Sequence, residues 1–249
     1  MVAETDCKPC DAGYYGDQLA LSVSTCTGKC SAGFYCQGQT STHSPISQNT
    51  NAAAADHISK ILGNRCAKGT YCPEGAFAET LCPAGTYNPN EGQKDCLLCP
   101  AGFYCIEGDS ANALTHEPQP CAAGNFCTEG TGTANGQPCE AGSYQPEVGH
   151  WKCLNCPPGH FCPTQGKSSI SATDYCSPGY YCKGSSRTDK PVGIQEGDIC
   201  GVGFYCDAGT AIPTECPPGF ACPEQGMDYA KVIDVATKTY FCAPGFYCL

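Results

Sequence analysis

The most regular apolar positions of this chain are aromatic: most tyrosines and phenylalanines fall singly or in pairs between a glycine and a cysteine. The recurring seven-residue unit has the pattern C-x-x-G-x-[Y/F/A]-C, in which the sixth residue is nearly always tyrosine or phenylalanine. Repetition at a short, regular period indicates a tandem array of one small motif. The nine complete units are CSAGFYC, CAKGTYC, CPAGFYC, CAAGNFC, CPPGHFC, CSPGYYC, CGVGFYC, CPPGFAC and CAPGFYC, and three that lack the second cysteine are CDAGYYG, CPAGTYN and CEAGSYQ.

Each unit predicts a tight turn followed by a short extended segment. Cys-Pro-x-Gly suits a β-turn with proline at the second position and glycine at the fourth. The aromatic residues then lie on the extended segment, where their rings can cover a disulfide, so we interpret them as packing residues.

Two segments between the units carry a different pattern. Asn51 as an N-cap, the following alanines and Gly63 as a C-terminal stop predict a short helix near 52–62. Residues 229–241 are rich in β-branched and aromatic side chains and predict a strand or hairpin. Residues 164–174 and 183–198 are polar insertions.

The composition explains why the units are rich in cysteine. The chain has 25 cysteines in 249 residues, together with 30 glycines and 20 prolines, whereas only about one residue in seven is Leu, Ile, Val or Phe. So few aliphatic side chains cannot fill one core of this length, which favours a disulfide scaffold. Rossmann domains, TIM barrels and helical bundles are excluded, as is a continuous apolar span of about 20 residues.

Cysteine content and charge indicate the setting. So many cysteines imply an oxidising compartment, so we expect an extracellular or cell-surface location. The net charge of −11 argues against nucleic acid and anionic membrane surfaces as partners. We expect no direct membrane insertion, and both ends resemble cuts through a longer array. The Ser/Thr-rich loops have a composition suited to O-glycans.

The cysteines group in sixes, which predicts four modules. The modules are residues 1–81, with an inserted loop and short helix at 37–65, then 82–138, 139–199 and a variant fourth module at 200–249. A regular six has the spacing C-x13-C-x2-C-x5-C-x(13–15)-C-x5-C. Four sixes account for every cysteine except Cys7, which we expect to be unpaired or intermolecular.

The segment CPAGTYNPNEGQKDCLLCPAGFYC resembles the Cys-rich repeats of the tumour-necrosis-factor-receptor and ephrin-receptor type. It is also similar to large Cys-rich surface proteins of ciliates and related protists. The receptor resemblance implies crossed disulfides within a six, pairing cysteines 1–2, 3–5 and 4–6. The alternative is a local scheme in which each Cys-x5-Cys unit closes on itself.

Geometry favours the crossed scheme, because six extended residue steps span roughly 20 Å, far beyond disulfide range. Loop entropy separates the two schemes by only about 1 kcal/mol per bond and does not decide between them. The pairs expected on the resemblance are Cys10–Cys26, Cys30–Cys66, Cys36–Cys72, Cys82–Cys96, Cys99–Cys121, Cys105–Cys127, Cys139–Cys153, Cys156–Cys176 and Cys162–Cys182. The variant six departs from this order: crossed pairing there gives Cys200–Cys216 and Cys206–Cys222, and leaves Cys242 and Cys248 to pair with each other (Cys242–Cys248) or with a unit beyond the chain end.

No catalytic, cofactor or metal site emerges from the sequence. The Cys-x2-Cys pairs Cys7/Cys10, Cys96/Cys99 and Cys153/Cys156 could suggest zinc, but each is embedded in the six-cysteine register. The five histidines are isolated along the chain, so no enzyme is expected. Trp151, the single tryptophan, is interpreted either as a ring covering Cys153 or as an interface anchor.

The fold expected is therefore one of small disulfide-rich tandem repeats, an elongated rod of short β-hairpins and turns with little helix. The first functional hypothesis is an extracellular structural or surface protein that self-associates into a coat, filament or appendage, with other copies of itself as partners. The alternative is an ectodomain segment of a receptor that binds a protein ligand along the rod.

Overall fold

The computed structural model describes residues 8–46, 62–107, 117–193, 195–233 and 241–242. Within these ranges the regular structure is almost entirely β-strands of two or three residues. The strands are β1 (Tyr14–Tyr15), β2 (Gly28–Lys29), β3 (Phe34–Cys36), β4 (Gly63–Arg65), β5 (Thr70–Tyr71), β6 (Thr80–Leu81), β7 (Thr86–Tyr87), β8 (Leu97–Leu98), β9 (Phe103–Tyr104), β10 (Gln119–Pro120), β11 (Asn125–Phe126), β12 (Gln137–Pro138), β13 (Ser143–Tyr144), β14 (Leu154–Asn155), β15 (Tyr180–Cys182), β16 (Gly197–Ile199), β17 (Phe204–Tyr205) and β18 (Thr214–Glu215). The helical elements described are a 3-10 helix at Ala172–Asp174 and α1 at Tyr229–Val232.

The strands pair as antiparallel hairpins with one repeated register. In each hairpin the aromatic segment of one unit lies beside the two or three residues that precede the first cysteine of the next unit. Tyr14 pairs with Lys29 in the first hairpin, and Tyr180 pairs with Ile199 in a later one. The same register is found in β3–β4, β5–β6, β7–β8, β11–β12, β13–β14 and β17–β18. The prediction of small disulfide-rich tandem repeats with little helix is confirmed.

The turn of each unit begins one residue later than the sequence predicted. In the unit 30–36, the amide of Phe34 donates to the carbonyl of Ser31 at 3.1 Å. Gly33 therefore occupies the third turn position, with a φ of +85°. A positive φ at that position is typical of a type II turn and strongly favours glycine. A proline at the second position of a unit, such as Pro157, is therefore the first residue of the turn and not its second.

This turn reverses the chain inside each unit, so the two cysteines of a Cys-x5-Cys unit bond to each other. Their Cα atoms lie 5.9–6.2 Å apart, within the normal range for a disulfide. The bonds are Cys30–Cys36, Cys66–Cys72, Cys99–Cys105, Cys121–Cys127, Cys156–Cys162, Cys176–Cys182, Cys200–Cys206 and Cys216–Cys222.

The crossed pairing is therefore wrong in this structure. It assumed that the six residue steps between the cysteines run extended, whereas the glycine turn brings their ends together. The pairs replaced are Cys30–Cys66, Cys36–Cys72, Cys99–Cys121, Cys105–Cys127, Cys156–Cys176, Cys162–Cys182, Cys200–Cys216 and Cys206–Cys222.

Three longer disulfides agree with the prediction. They start at the first cysteine of each unit that lacks a second one, and they close the hairpin loop that follows. These bonds are Cys10–Cys26, Cys82–Cys96 and Cys139–Cys153, with Cα separations of 5.7–5.8 Å. Cys242 is disulfide-bonded, but Cys248 and Cys7 lie outside the described residues, so the predictions for them remain predictions.

Consecutive units are joined through the backbone of the turn glycine. The amide of Gly159 donates to the carbonyl of Cys182 at 2.9 Å, and its carbonyl accepts from the amide of Cys176 at 3.0 Å. The turn glycine is thus bonded to the first and the seventh residue of the next unit. The same two hydrogen bonds are made by Gly13, Gly33, Gly69, Gly85, Gly124, Gly142, Gly179 and Gly203.

The turn glycine also lies against the chain segment that follows the unit after next. A Cβ added to Gly159 would collide with the carbonyl oxygen of Gly209, three residues beyond the unit 200–206. We call the receiving site a glycine socket. It consists of the first amide and the seventh carbonyl of the next unit, plus this later carbonyl. Matching close approaches are Gly13 to Gly75, Gly33 to Gly92, Gly85 to Gly130, Gly124 to Gly166, Gly142 to Ser185 and Gly179 to Gly226.

The buried core consists largely of disulfide-bonded cysteines. Most buried hydrophobic residues are half-cystines, and many of them are completely inaccessible to solvent. A small aliphatic cluster adds Met227 and Val232 against Cys222. Disulfides thus take the place of the aliphatic core that the composition could not supply.

Of the two predictions about the segments between units, the structure tests only the one over residues 229–241. The strand or hairpin expected over 229–241 is wrong at its start, where α1 covers Tyr229–Val232. The side chain of Asp228 caps α1 by accepting a hydrogen bond from the amide of Lys231 at 2.8 Å, and Val232 is buried on the inner face. The helix expected near 52–62 lies almost entirely outside the described residues.

On a larger scale than the seven-residue units, the chain divides into two compact regions. One comprises residues 1–119 with 129–134, and the other comprises 120–128 with 135–249. The predicted division into four modules, at 1–81, 82–138, 139–199 and 200–249, rests on the grouping of the cysteines in sets of six. It remains a prediction.

An ion pair between the half-buried Lys167 and the buried Asp174, in the second compact region, gives a pH-dependent contribution to stability. Lys167 Nζ lies 2.8 Å from Asp174 Oδ1, and Asp174 also accepts hydrogen bonds from the amide and hydroxyl of Ser171. Burial raises the pKa of Asp174, but the hydrogen bonds from Lys167 and Ser171 and the charge of Lys167 outweigh it, so that pKa lies below its ordinary value.

A carboxyl whose pKa is lowered by folding stabilises the fold above its unfolded pKa of about 3.9 and loses that contribution as the pH falls through the folded value. We therefore expect the thermal stability of the wild type to fall below about pH 4. Asp174→Asn should lower stability at pH 7 and flatten this acid dependence, as measured by calorimetry across pH. The exposed Glu215→Gln is the control. An unchanged acid profile in Asp174→Asn would contradict this assignment.

Candidate interaction surface

Five of the six cysteines in the Cys-x2-Cys pairs form disulfides, and the sixth, Cys7, lies outside the described residues. Both members of the Cys-x2-Cys pairs Cys96/Cys99 and Cys153/Cys156 bond to cysteines outside their own pair. Across the part of the chain that the structure describes, no three Cys, His, Asp or Glu side chains gather in a metal-binding arrangement. No helix in those ranges has the length and apolar character to cross a bilayer.

The histidines make separate local contacts. Nδ1 of His43 lies 2.8 Å from the hydroxyl of Ser31, while the His160 ring packs 4.7 Å from the ring of Tyr175. His150 pairs with Glu147 at 2.9 Å on the surface. His57 and His116 lie outside the described residues.

Eight of the 18 large hydrophobic residues exposed among the described residues lie on the three hairpins closed by the longer disulfides, and the others, such as Val192 and Ile212, are scattered over the rest of the surface. The first carries Leu19, Leu21 and Val23, and Leu19 is 97% exposed. The second carries Leu97 and Leu98, both more than half exposed. The third, which we call the Trp151 hairpin (residues 143–155), carries Val148 at 62%, Trp151 at 55% and Leu154 at 42% exposure. Single exposed apolar side chains are normal on protein surfaces, whereas several close together favour an interaction site, so the hairpins that carry two or three of them are the candidates.

A buried amide fixes the backbone of the Trp151 hairpin. Gln145 occupies the seventh position of its unit, where most units have a cysteine, and it is 1% exposed. Its Nε2 donates to the carbonyl of Lys152 at 2.8 Å, and its Oε1 accepts from the amide of Glu147 at 3.1 Å. The side chain therefore bridges the two ends of the loop that presents Trp151.

The loop is also tied to the preceding unit. The amide of Gly149 donates to the carbonyl of Cys121 at 2.8 Å, and the amide of Cys127 donates to the carbonyl of His150 at 3.0 Å. The backbone that leads into Trp151 is thus anchored, so an exposed aromatic ring is presented by a fixed backbone. Little ordering entropy remains to oppose binding there.

The electrostatics of the Trp151 hairpin are nearly balanced. Lys152 Nζ lies 4.9 Å from the centroid of the Trp151 ring, a cation–π contact. The carboxylate of Glu147 faces His150. The hairpin thus carries no strong local charge, whereas the whole chain has a net charge of −11.

Asn88 is the counterpart of Gln145 in the hairpin closed by Cys82–Cys96. It is completely buried, and its Nδ2 donates to the carbonyls of Thr70 at 2.9 Å and Asp95 at 3.2 Å. Sequence reasoning missed both amides because it treated these units only as lacking a cysteine. The available signal was that two of the three incomplete units have a carboxamide at that same position.

The three longer disulfides should be reduced first under native conditions. Each has a half-buried member, Cys26, Cys96 or Cys153, whereas most short units have both cysteines fully buried. Because an external thiolate must reach a sulfur atom, access sets the order of reaction. Brief treatment with dithiothreitol followed by alkylation and mass spectrometry should label these three bonds before Cys30–Cys36 or Cys176–Cys182. Early labelling of the short pairs would contradict the burial pattern.

Comparison with known proteins agrees with this architecture. A family model described as "Tyrosine-protein kinase ephrin type A/B receptor-like" matches residues 69–115 and 124–176. These ranges include the units around Asn88 and Gln145 and the Trp151 hairpin. They identify Cys-rich repeats of the receptor-like type.

The similar curated proteins are large extracellular proteins. The chain is 34% identical over 93 residues to mouse "Sushi, von Willebrand factor type A, EGF and pentraxin domain-containing protein 1", covering 37% of this chain and 2% of that protein. It is 33% identical over 125 residues to mouse "Signal peptide, CUB and EGF-like domain-containing protein 2" and 32% identical over 119 residues to the human protein 3 of that name, each covering 47% of this chain and 12% of the relative. The chain therefore spans only about an eighth or less of the length of these relatives.

These matches and the disulfide content place the chain outside the cell or at the cell surface, as an extracellular Cys-rich module. The likeness to protist surface proteins stays a prediction.

Proposed function

We propose that this chain is an extracellular structural module that associates with other copies of itself through the apolar side chains of its hairpins. The Trp151 hairpin is the main contact. The observation that carries this proposal is a half-exposed tryptophan on an anchored backbone. Tryptophan is among the residues most enriched at the energetic centres of protein interfaces.

The repeat supports the proposal because it holds neighbouring units against one another within each compact region. Nine turn glycines each tie their own unit to the next one, and most of them also touch the segment that follows the unit after next. A surface built this way is preorganised, which reduces the entropy lost on association. The coat, filament or appendage expected from the sequence is one assembly that repeated contacts of this kind would form.

The net charge of −11 opposes contact between identical chains. Long-range repulsion is screened within a Debye length of about 8 Å at physiological ionic strength. Apolar contact is not weakened by salt in this way, so self-association should strengthen as salt is raised from low to physiological concentration.

Sedimentation equilibrium of the native, oxidised chain tests the proposal. Trp151→Ser should weaken self-association at least tenfold, an effect of about 1.4 kcal/mol or more. The matched control is Phe77→Ser, since Phe77 is an exposed aromatic two residues after Gly75, as Trp151 is after Gly149. A chain that stays monomeric at high concentration, or equal effects of both substitutions, would overturn the proposal. Electron microscopy of the native material then separates filaments or coats from small oligomers.

A second candidate function is a segment of a receptor ectodomain that binds a protein ligand. It is favoured by the receptor-like family match over 69–115 and 124–176. On this alternative the chain remains monomeric, and Trp151→Ser lowers affinity for a purified extracellular ligand. The absence of enzyme activity and the presence of O-glycans stay predictions of the sequence.

A further inference from the structure

The Cys82–Cys96 disulfide lies beside a buried carboxamide with one unsatisfied atom. Asn88 is completely buried, and its Nδ2 lies 3.6 Å from Cys96 Sγ while it donates to the carbonyls of Thr70 and Asp95. Its Oδ1 is the one buried side-chain polar atom among the described residues that has no hydrogen-bond partner. A buried acceptor without a donor is unfavourable, so the oxidised hairpin keeps a destabilising feature next to its own disulfide.

The partners of Asn88 set the orientation of its carboxamide. Nδ2 faces the carbonyls of Thr70 at 2.9 Å and Asp95 at 3.2 Å, and neither carbonyl can donate. Turning the carboxamide over would place Oδ1 against both carbonyls and remove both hydrogen bonds. The oxygen therefore stays unpaired as long as the sulfur of Cys96 carries no hydrogen.

The equivalent carboxamide in the Trp151 hairpin is satisfied at both ends. Gln145 is longer than Asn88 by one methylene group, and its Oε1 accepts from the amide of Glu147 at 3.1 Å. Its Nε2 donates to the carbonyl of Lys152 at 2.8 Å. The Cys139–Cys153 disulfide thus closes a hairpin whose buried carboxamide already has a donor for its oxygen.

We infer that Cys82–Cys96 is a site of thiol–disulfide exchange, opened and closed reversibly by small extracellular thiols. Once the bond is broken, the Cys96 thiol is free to rotate, and its S–H can donate to Asn88 Oδ1, which a disulfide sulfur cannot do. Reduction of Cys139–Cys153 brings no such gain, because Gln145 is already satisfied. The inference is independent of the proposed self-association and goes beyond it.

The exchange step balances with a small thiol as co-reactant. Cys96 is half-buried whereas Cys82 is 6% exposed, so an external thiolate attacks Sγ of Cys96. A bond forms between the external sulfur and Cys96 as the Cys82–Cys96 bond breaks, and the Cys82 thiolate takes up the proton that the external thiol lost. A second thiol attacks the external sulfur of this mixed disulfide and releases Cys96 with its proton. The small thiol is oxidised to a disulfide, and both cysteines are reduced.

The loop between the two cysteines is also held by hydrogen bonds that do not involve the disulfide. The amide of Gly92 donates to the carbonyl of Cys66 at 2.8 Å, and the amide of Cys72 donates to the carbonyl of Gln93 at 2.9 Å. These bonds tie the loop to the preceding unit. The two cysteines therefore stay close together after reduction, so the same bond can form again.

Equilibration with dithiothreitol tests the inference. The native chain is held without oxygen at a series of ratios of reduced to oxidised dithiothreitol, quenched with acid, alkylated and analysed by mass spectrometry. Cys82–Cys96 should be half-reduced at a ratio at least tenfold lower than Cys139–Cys153, a difference of about 30 mV. Equal midpoints, or a lower midpoint for Cys139–Cys153, would overturn the inference.

Exchanging the two carboxamides shows whether they set this difference. Asn88→Gln introduces the longer side chain found at 145 and should raise the ratio needed to reduce Cys82–Cys96 about tenfold. Gln145→Asn should lower the ratio needed for Cys139–Cys153. The matched control is Asn90→Gln, the same substitution at an exposed position of the first loop, which should change neither midpoint. Amide spectra identify the folded variants, and an unchanged midpoint in either folded carboxamide variant would overturn the inference.

Reversibility is measured on the same protein. After reduction of Cys82–Cys96, the amides of Cys72 and Gly92 should keep their protection from hydrogen exchange. Oxidised dithiothreitol should then restore the Cys82–Cys96 bond. Loss of protection, or formation of a different pair, would show that this disulfide is structural and does not act as an exchange site.

Discussion

Gly159→Ala should destabilise the repeat array markedly more than Gly203→Ala, although the two glycines make the same pair of hydrogen bonds to the next unit. Their φ values are +82° and +86°, so each alanine costs about 1–3 kcal/mol for the backbone conformation alone. At Gly159 the new Cβ also meets the carbonyl oxygen of Gly209, whereas at Gly203 no described atom lies within 4 Å. Overpacking of this kind adds about 1–3 kcal/mol.

Native-state hydrogen exchange is the suitable measurement, because repeat arrays need not unfold in one cooperative step. The amide of Cys176, which donates to Gly159, should lose protection in Gly159→Ala. The amide of Cys216, which donates to Gly203, should lose less in Gly203→Ala. Equal losses of protection at the two amides would show that the close approach of Gly159 to Gly209 does not add to the destabilisation.

Removing the short disulfide Cys176–Cys182 should cost at least as much stability as removing the longer Cys139–Cys153. Chain entropy alone predicts the reverse, about 2.4 kcal/mol for a seven-residue ring against about 3.0 kcal/mol for a fifteen-residue ring. Packing changes the order because both cysteines of the short bond are fully buried, whereas Cys153 is half-buried. Loss of both buried sulfurs leaves a cavity beside the socket for Gly159.

The comparison uses Cys176→Ala/Cys182→Ala and Cys139→Ala/Cys153→Ala, each measured by calorimetry without reductant. We expect a loss of about 2–5 kcal/mol for the first pair. If Cys139→Ala/Cys153→Ala is clearly the more destabilising, the entropy of ring closure decides the order. The buried sulfur atoms then contribute less to the free energy of unfolding than their burial suggests.

The repeat, its extended aromatic segments and the disulfide scaffold could all be predicted from the sequence, because each depends on local pattern and composition. The connectivity could not. A shift of one residue in the turn, from Cys30 to Ser31 as its first residue, places Gly33 at the reversing position and closes the unit on itself. The helix α1 was missed because the prediction rested on the β-branched and aromatic side chains of residues 229–241 and did not consider Asp228 as a capping residue.

The candidate site was predictable only in part. Trp151 was recognised as an interface candidate because it is the single tryptophan. The amides of Gln145 and Asn88 that hold the hairpins were missed, since their partners are carbonyls across the loop. Glycine sockets escape sequence reasoning altogether, because they join backbone atoms far apart along the chain, such as those of Gly13 and Gly75.

Disulfide mapping of the native protein tests most directly the claim that each Cys-x5-Cys unit closes on itself. Proteolysis without reduction, followed by mass spectrometry, should yield the linked pairs Cys99–Cys105 and Cys121–Cys127, together with Cys82–Cys96. Peptides that link Cys99 to Cys121 and Cys105 to Cys127 would contradict the account. The turn-closed units and their glycine sockets would then have to be abandoned.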